Sequence, residues 1–321
     1  MPSVHFLNVG EGDCTIIQHG STRCTVVDIC AGNTTGNMLL KTLLEIAGNF
    51  RRCDYPTNPI DYLRSIGVTS VFRFIPTHPE MDHLDGFNAL VDAFNIVNMW
   101  DSGVRREKPP FNGGKYKEVD WDRFVGIRDG QKDGTNTVRA HAGDRFKFAN
   151  ETTKNPGDFD ALYILAPSEE LVNAANEDGD VNDASFVILY CTTAGKILMP
   201  GDAHDATWKY VLDNYEAAVK DCKVLMAPHH GRHSNRSFDF LDVVKPRVTL
   251  FGCAPSEHLA YDAWNKRNLY KITNNQAGDI ILDIVDKHIN VYVENPHFVK
   301  AERRDVSNKN AQGQTFLGYI D

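Results

Sequence analysis

An α/β fold, with two sheets sandwiched between helices, is what this 321-residue chain predicts. Apolar runs rich in β-branched residues, bounded by glycine or charged turns, recur along its length, and stretches with helical apolar spacing fall between them. Several of the runs also end directly in clusters of His and Asp. Strand signals open the chain at Val4 to Val9, Cys14 to His19 and Thr25 to Ile29. A helix is expected from Asn33 to Gly48, with Leu39, Leu40, Leu43, Leu44 and Ile46 on its apolar face, then a strand at Val71 to Ile75 and a helix at Asp85 to Phe94. The segment from Asp101 to Gly134 is rich in Gly, Pro and charge and reads as a long lid or partner loop. Strands return at Phe146, Leu162 to Leu165, Ser185 to Cys191 and Lys196 to Met199. Helix Ala206 to Asn214, strand Lys223 to Met226, helix Phe238 to Val244 and strand Val248 to Phe251 follow, with last strands near Ile280 to Val285 and Ile289 to Val293. Residues 1–300 are read as one domain with a loop inserted at 101–134, and residues 301–321 as a polar tail.

The segment Thr77-His78-Pro79-Glu80-Met81-Asp82-His83 places four metal-ligand side chains within six residues at the end of an apolar strand. Imidazole and carboxylate suit a borderline or hard divalent cation such as Zn²⁺ or Mn²⁺, and a tight loop can aim alternate side chains at one point. His78, Glu80, Asp82 and His83 therefore read as half of a two-metal centre. Two later segments supply the rest: Asp202 follows strand Lys196 to Met199 and a glycine turn, and His229 and His230 follow strand Lys223 to Met226. The adjacent histidines do not easily bind the same ion, so one is expected to ligate and the other to meet the substrate.

With these motifs in order, the chain resembles the metallo-β-lactamase superfamily, and within it the branch typified by the hydrolase domain of the ComEC DNA-uptake protein. The resemblance also rests on Val9-Gly10-Glu-Gly12-Asp13, on Val27-Asp28 and on Asn182-Asp-Ala-Ser185, and it spans nearly the whole chain. It implies an αββα sandwich of two mixed β-sheets flanked by helices, binding two divalent ions, Zn²⁺ first and Mn²⁺ as the alternative. Asp28 is then a brace for the His78 loop, with Asn182 and Ser185 lying behind the ligands. His258 falls near a loop histidine of that branch and is the expected proton donor to a leaving group. Two departures stand out. Glu80 replaces the usual His or Asp, and the separate histidine that many members use at the first metal is missing between residues 141 and 202. The set Asp82, His83, Asp202 and one of His229/His230 is thus the more complete site. The activity implied is phosphodiester hydrolysis, by water activated between the metals with Asp82 and Asp202 in the catalytic set. A carboxylic ester, lactone or amide is the alternative substrate, and a non-catalytic partner-binding module a third option that the intact ligand set disfavours.

Composition sets outer bounds. No window has the apolar length of a membrane span, and Met1-Pro-Ser-Val-His lacks the basic-then-apolar pattern of a signal peptide, so a cytoplasmic protein is expected. Seven scattered cysteines without a Cys-x-x-Cys pair suggest reduced thiols, among them Cys14, Cys24, Cys191 and Cys253. A net charge of −9 argues against a wholly basic nucleic-acid surface. Arg105, Arg106, Lys108, Lys115 and Lys117 nevertheless cluster among glycines, prolines and aromatics. They are the expected contacts for a phosphodiester substrate, a nucleic acid or nucleotide. Gly10 and Gly12 read as tight-turn residues, and His5, His19, His141, His204, His288 and His297 as structural.

Overall fold

The computed structural model describes residues 1–32, 38–46, 50–131, 134–151, 160–254 and 256–321. The strands are β1 (Ser3–Phe6), β2 (Thr15–Gln18), β3 (Cys24–Val27), β4 (Ser70–Ile75), β5 (Asn95–Asp101), β6 (Asn136–Arg139), β7 (Ala161–Ala166) and β8 (Val187–Thr192), followed by β9 (Gly195–Met199), β10 (Val224–Met226), β11 (Val248–Phe251), β12 (Lys271–Thr273), β13 (Ile280–Val285), β14 (His288–Val293) and β15 (Thr315–Ile320). They build a nine-stranded sheet in the order β15-β14-β13-β1-β2-β3-β4-β5-β6 and a six-stranded sheet in the order β12-β11-β10-β9-β8-β7. Both sheets are mixed. β3 to β6 run parallel, as do β9 to β12, while the remaining neighbours are antiparallel.

Parallel neighbours need crossovers, and helices supply them. Pro59–Ser65, Phe87–Ala93 and Glu118–Arg128 connect β3 through β6, and Asp205–Val219, Leu241–Val244 and Tyr261–Asn265 connect β9 through β12. Alternation along each strand then sorts side chains into layers. Val27 and Ile75 face Met199, Val224 and Met226 between the sheets, whereas Val26 and Phe74 pack outward on Leu63, Phe87 and Trp121. Leu198 and Leu225 point the other way, onto Trp208, Leu241 and Trp264. The order of layers is helix, sheet, sheet, helix. Because both sets of parallel strands end on the same side, the loops after β3, β4, β9, β10 and β11 converge there, where open α/β sheets place their ligands.

Several expectations need correction. The segment read as a loop over 101–134 contains helix Glu118–Arg128, which buries Trp121, Phe124 and Ile127. Phe146 is not in a strand: it begins a turn closed by Asn150, whose Oδ1 accepts from Phe146 N at 2.9 Å and whose Nδ2 donates to Asp144 O at 3.1 Å. The tail read as polar ends in β15, which pairs with β14 and buries Leu317 and Ile320 in the core between the sheets. Helix Met38–Ile46 forms inside the range expected, but Leu39, Leu40 and Leu43 are 71%, 44% and 56% exposed instead of packed; residues 33–37, 47 and 48 of that expectation lie outside the described residues. Cys253 is not a free thiol, since β11 carries it to Cys53 and the two form a disulfide. Cys14, Cys24, Cys30, Cys191 and Cys222 are free and buried. No helix among the described residues is long and apolar enough to cross a membrane.

Candidate metal centre

Asp28, at the end of β3, takes a left-handed backbone (φ 56°) that turns its carboxylate toward the end of β4. There it accepts from Thr77 N at 2.6 Å and from Thr77 Oγ1 at 2.8 Å, and its Oδ2 lies 2.8 Å from His83 Nδ1. One buried carboxylate thus pins both the start and the end of the ligand loop. His78 Nδ1 meets Thr77 Oγ1 at 3.1 Å, which leaves its Nε2 facing inward. Gly201 brings Asp202 up against the same residue: at φ 53°, a Cβ there would sit 2.7 Å from Thr77 Cβ.

The inward-facing atoms gather around Asp202. Its Oδ1 is 3.4 Å from His83 Nε2, and its Oδ2 is 3.6, 3.7 and 4.0 Å from the Nε2 atoms of His229, His230 and His78. Asp82 Oδ2 lies 3.3 Å from His230 Nε2 and 3.9 Å from His83 Nε2. Three groups have ligand atoms all within 4.8 Å of one another: His78, His83 and Asp202; Asp82, His83 and His230; and Asp13, Asp202 and His230. Buried polar atoms are nearly always hydrogen-bonded. Yet His78 Nε2, His83 Nε2 and both oxygens of Asp202 are buried without a hydrogen-bond partner among the described residues.

The electrostatics point the same way. Burial opposes ionisation of Asp202, but the imidazoles of His83 and His230 outweigh it and hold the carboxyl well below the usual range. Asp82 is lowered by the same two rings against the same opposition. Burial likewise opposes protonation of His83 and His230. Asp202, Asp28 and Asp82 prevail at the first and Asp13 and Asp202 at the second, so both imidazoles hold their protons well above the ordinary value. The carboxylates gathered around these buried rings favour positive charge at the centre.

The adjacent histidines are separated by their backbone. His229, His230 and Gly231 are all left-handed (φ 53°, 56° and 90°), which sets the two rings 81° apart. His230 faces Asp82 and Asp202. His229 keeps Nε2 toward Asp202 while its Nδ1 contacts His204 Nε2 at 3.1 Å and Ser234 Oγ at 3.0 Å, and burial pushes its pKa down to about 4.

Other expected site residues fall around this cluster. Glu80 sits 3.9 Å from His78 Nε2 through one oxygen and pairs with Arg106 through the other, outside the three converging groups. Phe186 N donates to Thr77 O at 2.9 Å, tying the 181–185 turn to the ligand loop; Asn182 Oδ1 and Ser185 Oγ are buried there without a partner among the described residues. His258 is exposed on a turn beside the histidine pair, where Arg232 bridges Leu259 and Ala260 N donates to Gly231 O. The basic cluster is largely charge-matched. Arg105 pairs with Asp101, Arg106 with Glu80, Lys108 with Glu118 and Asp122, and Lys115 with Glu11, while Lys117 is exposed. Beside the ligand loop lies a cavity of about 450 Å³ lined by Gly10, Glu11, Cys30, Asp85, Lys115 and the Cys53–Cys253 disulfide. A larger cavity of about 810 Å³ opens between β7 to β9 and helix Asp205–Val219, away from this chemistry.

Sequence reading missed Asp13 and His204 as neighbours of the centre. Asp13 Oδ1 lies 3.1 Å from His230 Nδ1, and His204 joins His229 to Asp180, whose Oδ2 is 3.4 Å from His204 Nδ1. Their only signals were the aspartate closing the Gly-x-Gly turn and a histidine two places after Asp202.

No family model and no curated protein sequence matches the chain. Among solved structures it is similar to Igni18, a novel metallo hydrolase from the hyperthermophilic archaeon Ignicoccus hospitalis, at 12% identity and a TM-score of 0.45 over 88% of this chain and 100% of that one. It is also similar to Tm1679, a metal-dependent hydrolase of the β-lactamase superfamily, at 15% identity and a TM-score of 0.47 over 89% of this chain and 100% of that one. A mutant of CmlA beta-hydroxylase follows at 9% identity and a TM-score of 0.46, over 88% of this chain and 54% of that one. At such identities, what the centre does is read from its own atoms.

Proposed function

We propose that the chain is a metal-dependent hydrolase of the metallo-β-lactamase superfamily, of the ComEC-like branch, cleaving phosphodiesters of a nucleic acid or nucleotide in the cytoplasm. The observation that carries the metal is the set of partnerless atoms around Asp202. Ligands about 2.0–2.2 Å from one tetrahedral ion lie somewhat over 3 Å apart, and the separations of 3.3 to 3.9 Å among Asp82, His83, Asp202 and His230 are near that or slightly wider. These four residues would hold one ion; His78, Asp202 and, with a change of side-chain direction, Glu80 would hold the second. Zn²⁺ suits the imidazole-rich set best, and Mn²⁺ suits the carboxylate arm of Glu80. When bound, such ions act as Lewis acids and bring the pKa of water toward neutrality.

The chain supplies position and charge. Asp202 reaches both halves of the centre and sets their separation. Asp28 holds His83 and Thr77 and keeps the ligand loop from relaxing. His229, held at Nδ1 by His204 and Ser234, is oriented to meet a substrate oxygen. His258, exposed on the neighbouring turn, is the proton donor to the leaving group in this reading, and Asn182 and Ser185 back the ligands from behind. Arg105, Arg106, Lys108, Lys115 and Lys117 contact the substrate phosphates, the first four by exchanging their present carboxylates. The phosphodiester assignment rests on the ordered motifs from Gly10 to His230; for the compartment, five free and buried cysteines agree with the cytoplasm, and the Cys53–Cys253 disulfide counts against it.

The test is a substrate panel after loading with Zn²⁺ or Mn²⁺: single- and double-stranded DNA, RNA, a cyclic nucleotide, bis-p-nitrophenyl phosphate and a p-nitrophenyl carboxylic ester. Turnover of a phosphodiester supports the reading. Turnover of the ester alone overturns the substrate class, and no metal uptake with no turnover overturns the enzyme.

A further inference from the structure

Two imidazoles of the centre each have a carboxylate at Nδ1, hydrogen-bonded at one ring and in ionic contact at the other. Asp28 Oδ2 lies 2.8 Å from His83 Nδ1 on one side, and Asp13 Oδ1 lies 3.1 Å from His230 Nδ1 on the other. The two rings are stacked with centroids 5.3 Å apart and an interplanar angle of 26°. Their Nε2 atoms face the same two acids, Asp82 and Asp202. A carboxylate behind each ring and shared acids in front is the arrangement that orients a metal-ligating histidine and raises its basicity.

The turn carrying Asp13 is shaped to bring this about. Gly12, at φ 88°, lies so close to the ligand loop that a Cβ would fall 2.0 Å from Asp82 O. Asp13 N donates to that same oxygen at 3.4 Å, and Gly12 bridges to Cys253, itself tied to Cys53. On the far side a Cβ on Gly252 would lie 3.0 Å from Asp13 Oδ1 and 3.2 Å from His230 Cβ, so only a glycine there lets the two meet without displacement. The Asp13 contact is close but off the N–H axis of His230, a distance at which charge still acts strongly. At His229 Nδ1 the contacts are instead His204 Nε2 and Ser234 Oγ, with no carboxylate there among the described residues.

We propose that Asp13 is a positioning residue that fixes His230 as a metal ligand, as Asp28 does for His83, and thereby decides which of the adjacent histidines ligates. This rests on the metal-centre reading above. The experiment compares wild type, Asp13→Ala and Asp13→Asn, stripped of metal. Zn²⁺ affinity is read by competition with a chromophoric chelator, and folding by the thermal midpoint of the metal-free proteins. Asp13→Ala should weaken Zn²⁺ binding about 10- to 100-fold, and Asp13→Asn, which keeps an acceptor, should recover part of the loss. The metal-free midpoints should stay together. Equal affinity in all three overturns the proposal, as does a loss of affinity that merely follows a loss of fold. A wild type that takes up no Zn²⁺ removes the metal-centre reading itself, an outcome distinct from either.

Discussion

Replacing Gly12 by Ala tests how tightly the first turn is built against the ligand loop. The new Cβ would sit 2.0 Å from Asp82 O, 2.9 Å from Asp82 C and 3.1 Å from Asp82 Cβ, on a residue whose φ is 88°. Ordinary contact requires about 3.4 Å or more, so backbone has to move by more than 1 Å, with no flexible side-chain end to absorb it. Left-handed backbone costs Ala about 1–2 kcal/mol, and forced overpacking adds about 1–3 kcal/mol, giving about 2–5 kcal/mol in all. Gly67 supplies the control: its φ is 78° but a Cβ there meets nothing within 4 Å. Gly67→Ala should therefore show the backbone cost alone. Urea unfolding of the two variants beside wild type gives both numbers, and Zn²⁺ competition reports whether Asp82 and His83 have shifted. Gly12→Ala should lose at least 1 kcal/mol more than Gly67→Ala and bind Zn²⁺ more weakly. Equal losses in the two variants would refute the close-approach argument.

Three further outcomes are expected. Asp202→Ala should lower turnover by several orders of magnitude while the chain remains folded by circular dichroism, because the carboxylate belongs to both halves of the centre; near-wild-type turnover contradicts this. Replacing Arg106, Lys115 and Lys117 by Ala should raise KM for a nucleic acid and flatten its salt dependence by roughly one unit of slope per lost phosphate contact. Hydrolysis of bis-p-nitrophenyl phosphate should hardly change, and equal losses on both substrates would mean that these residues serve the fold. Burial, then the charge of Glu294, raises the Asp279 carboxyl to about 7, against donation from Asn8 N and Thr57 Oγ1. A folded pKa above the unfolded value near 4 means that this group's contribution is complete below about pH 4 and is lost as pH rises through about 7. Asp279→Asn should accordingly gain stability over wild type between about pH 5 and 8 in urea titrations, and a pH-independent difference would rule this out.

The two mixed sheets flanked by helices were legible in the sequence, and so was the meeting of several candidate ligands at one end of them. His78 to His83 stand together, and Asp202 and the histidine pair each follow an apolar strand, so residue type and strand-end position were enough to bring them to one place. Asp13 and His204 were not readable as neighbours, because their contacts depend on how distant loops close. The different directions of the His229 and His230 rings come from left-handed backbone, which no residue type announces at a histidine. Among the elements, helix Glu118–Arg128 was hidden because Trp121, Phe124 and Ile127 are interleaved with Asp120, Asp122, Arg123 and Gly126. β15 was obscured by the polar stretch leading into it. The expected face of Met38–Ile46 shows the converse: helical spacing of leucines established the helix, but the structure leaves three of them exposed.

The Cys53–Cys253 bond spans 200 residues and encloses the ligand loop, Asp202 and both adjacent histidines within one covalent ring. A closure of that length removes about 5 kcal/mol of chain freedom from the unfolded ensemble in the loop-entropy picture. A protease cut anywhere between the two cysteines, including in the long stretch over residues 101–134, leaves the pieces joined. Such a nicked chain would run at full mass until a dithiol reductant released the fragments.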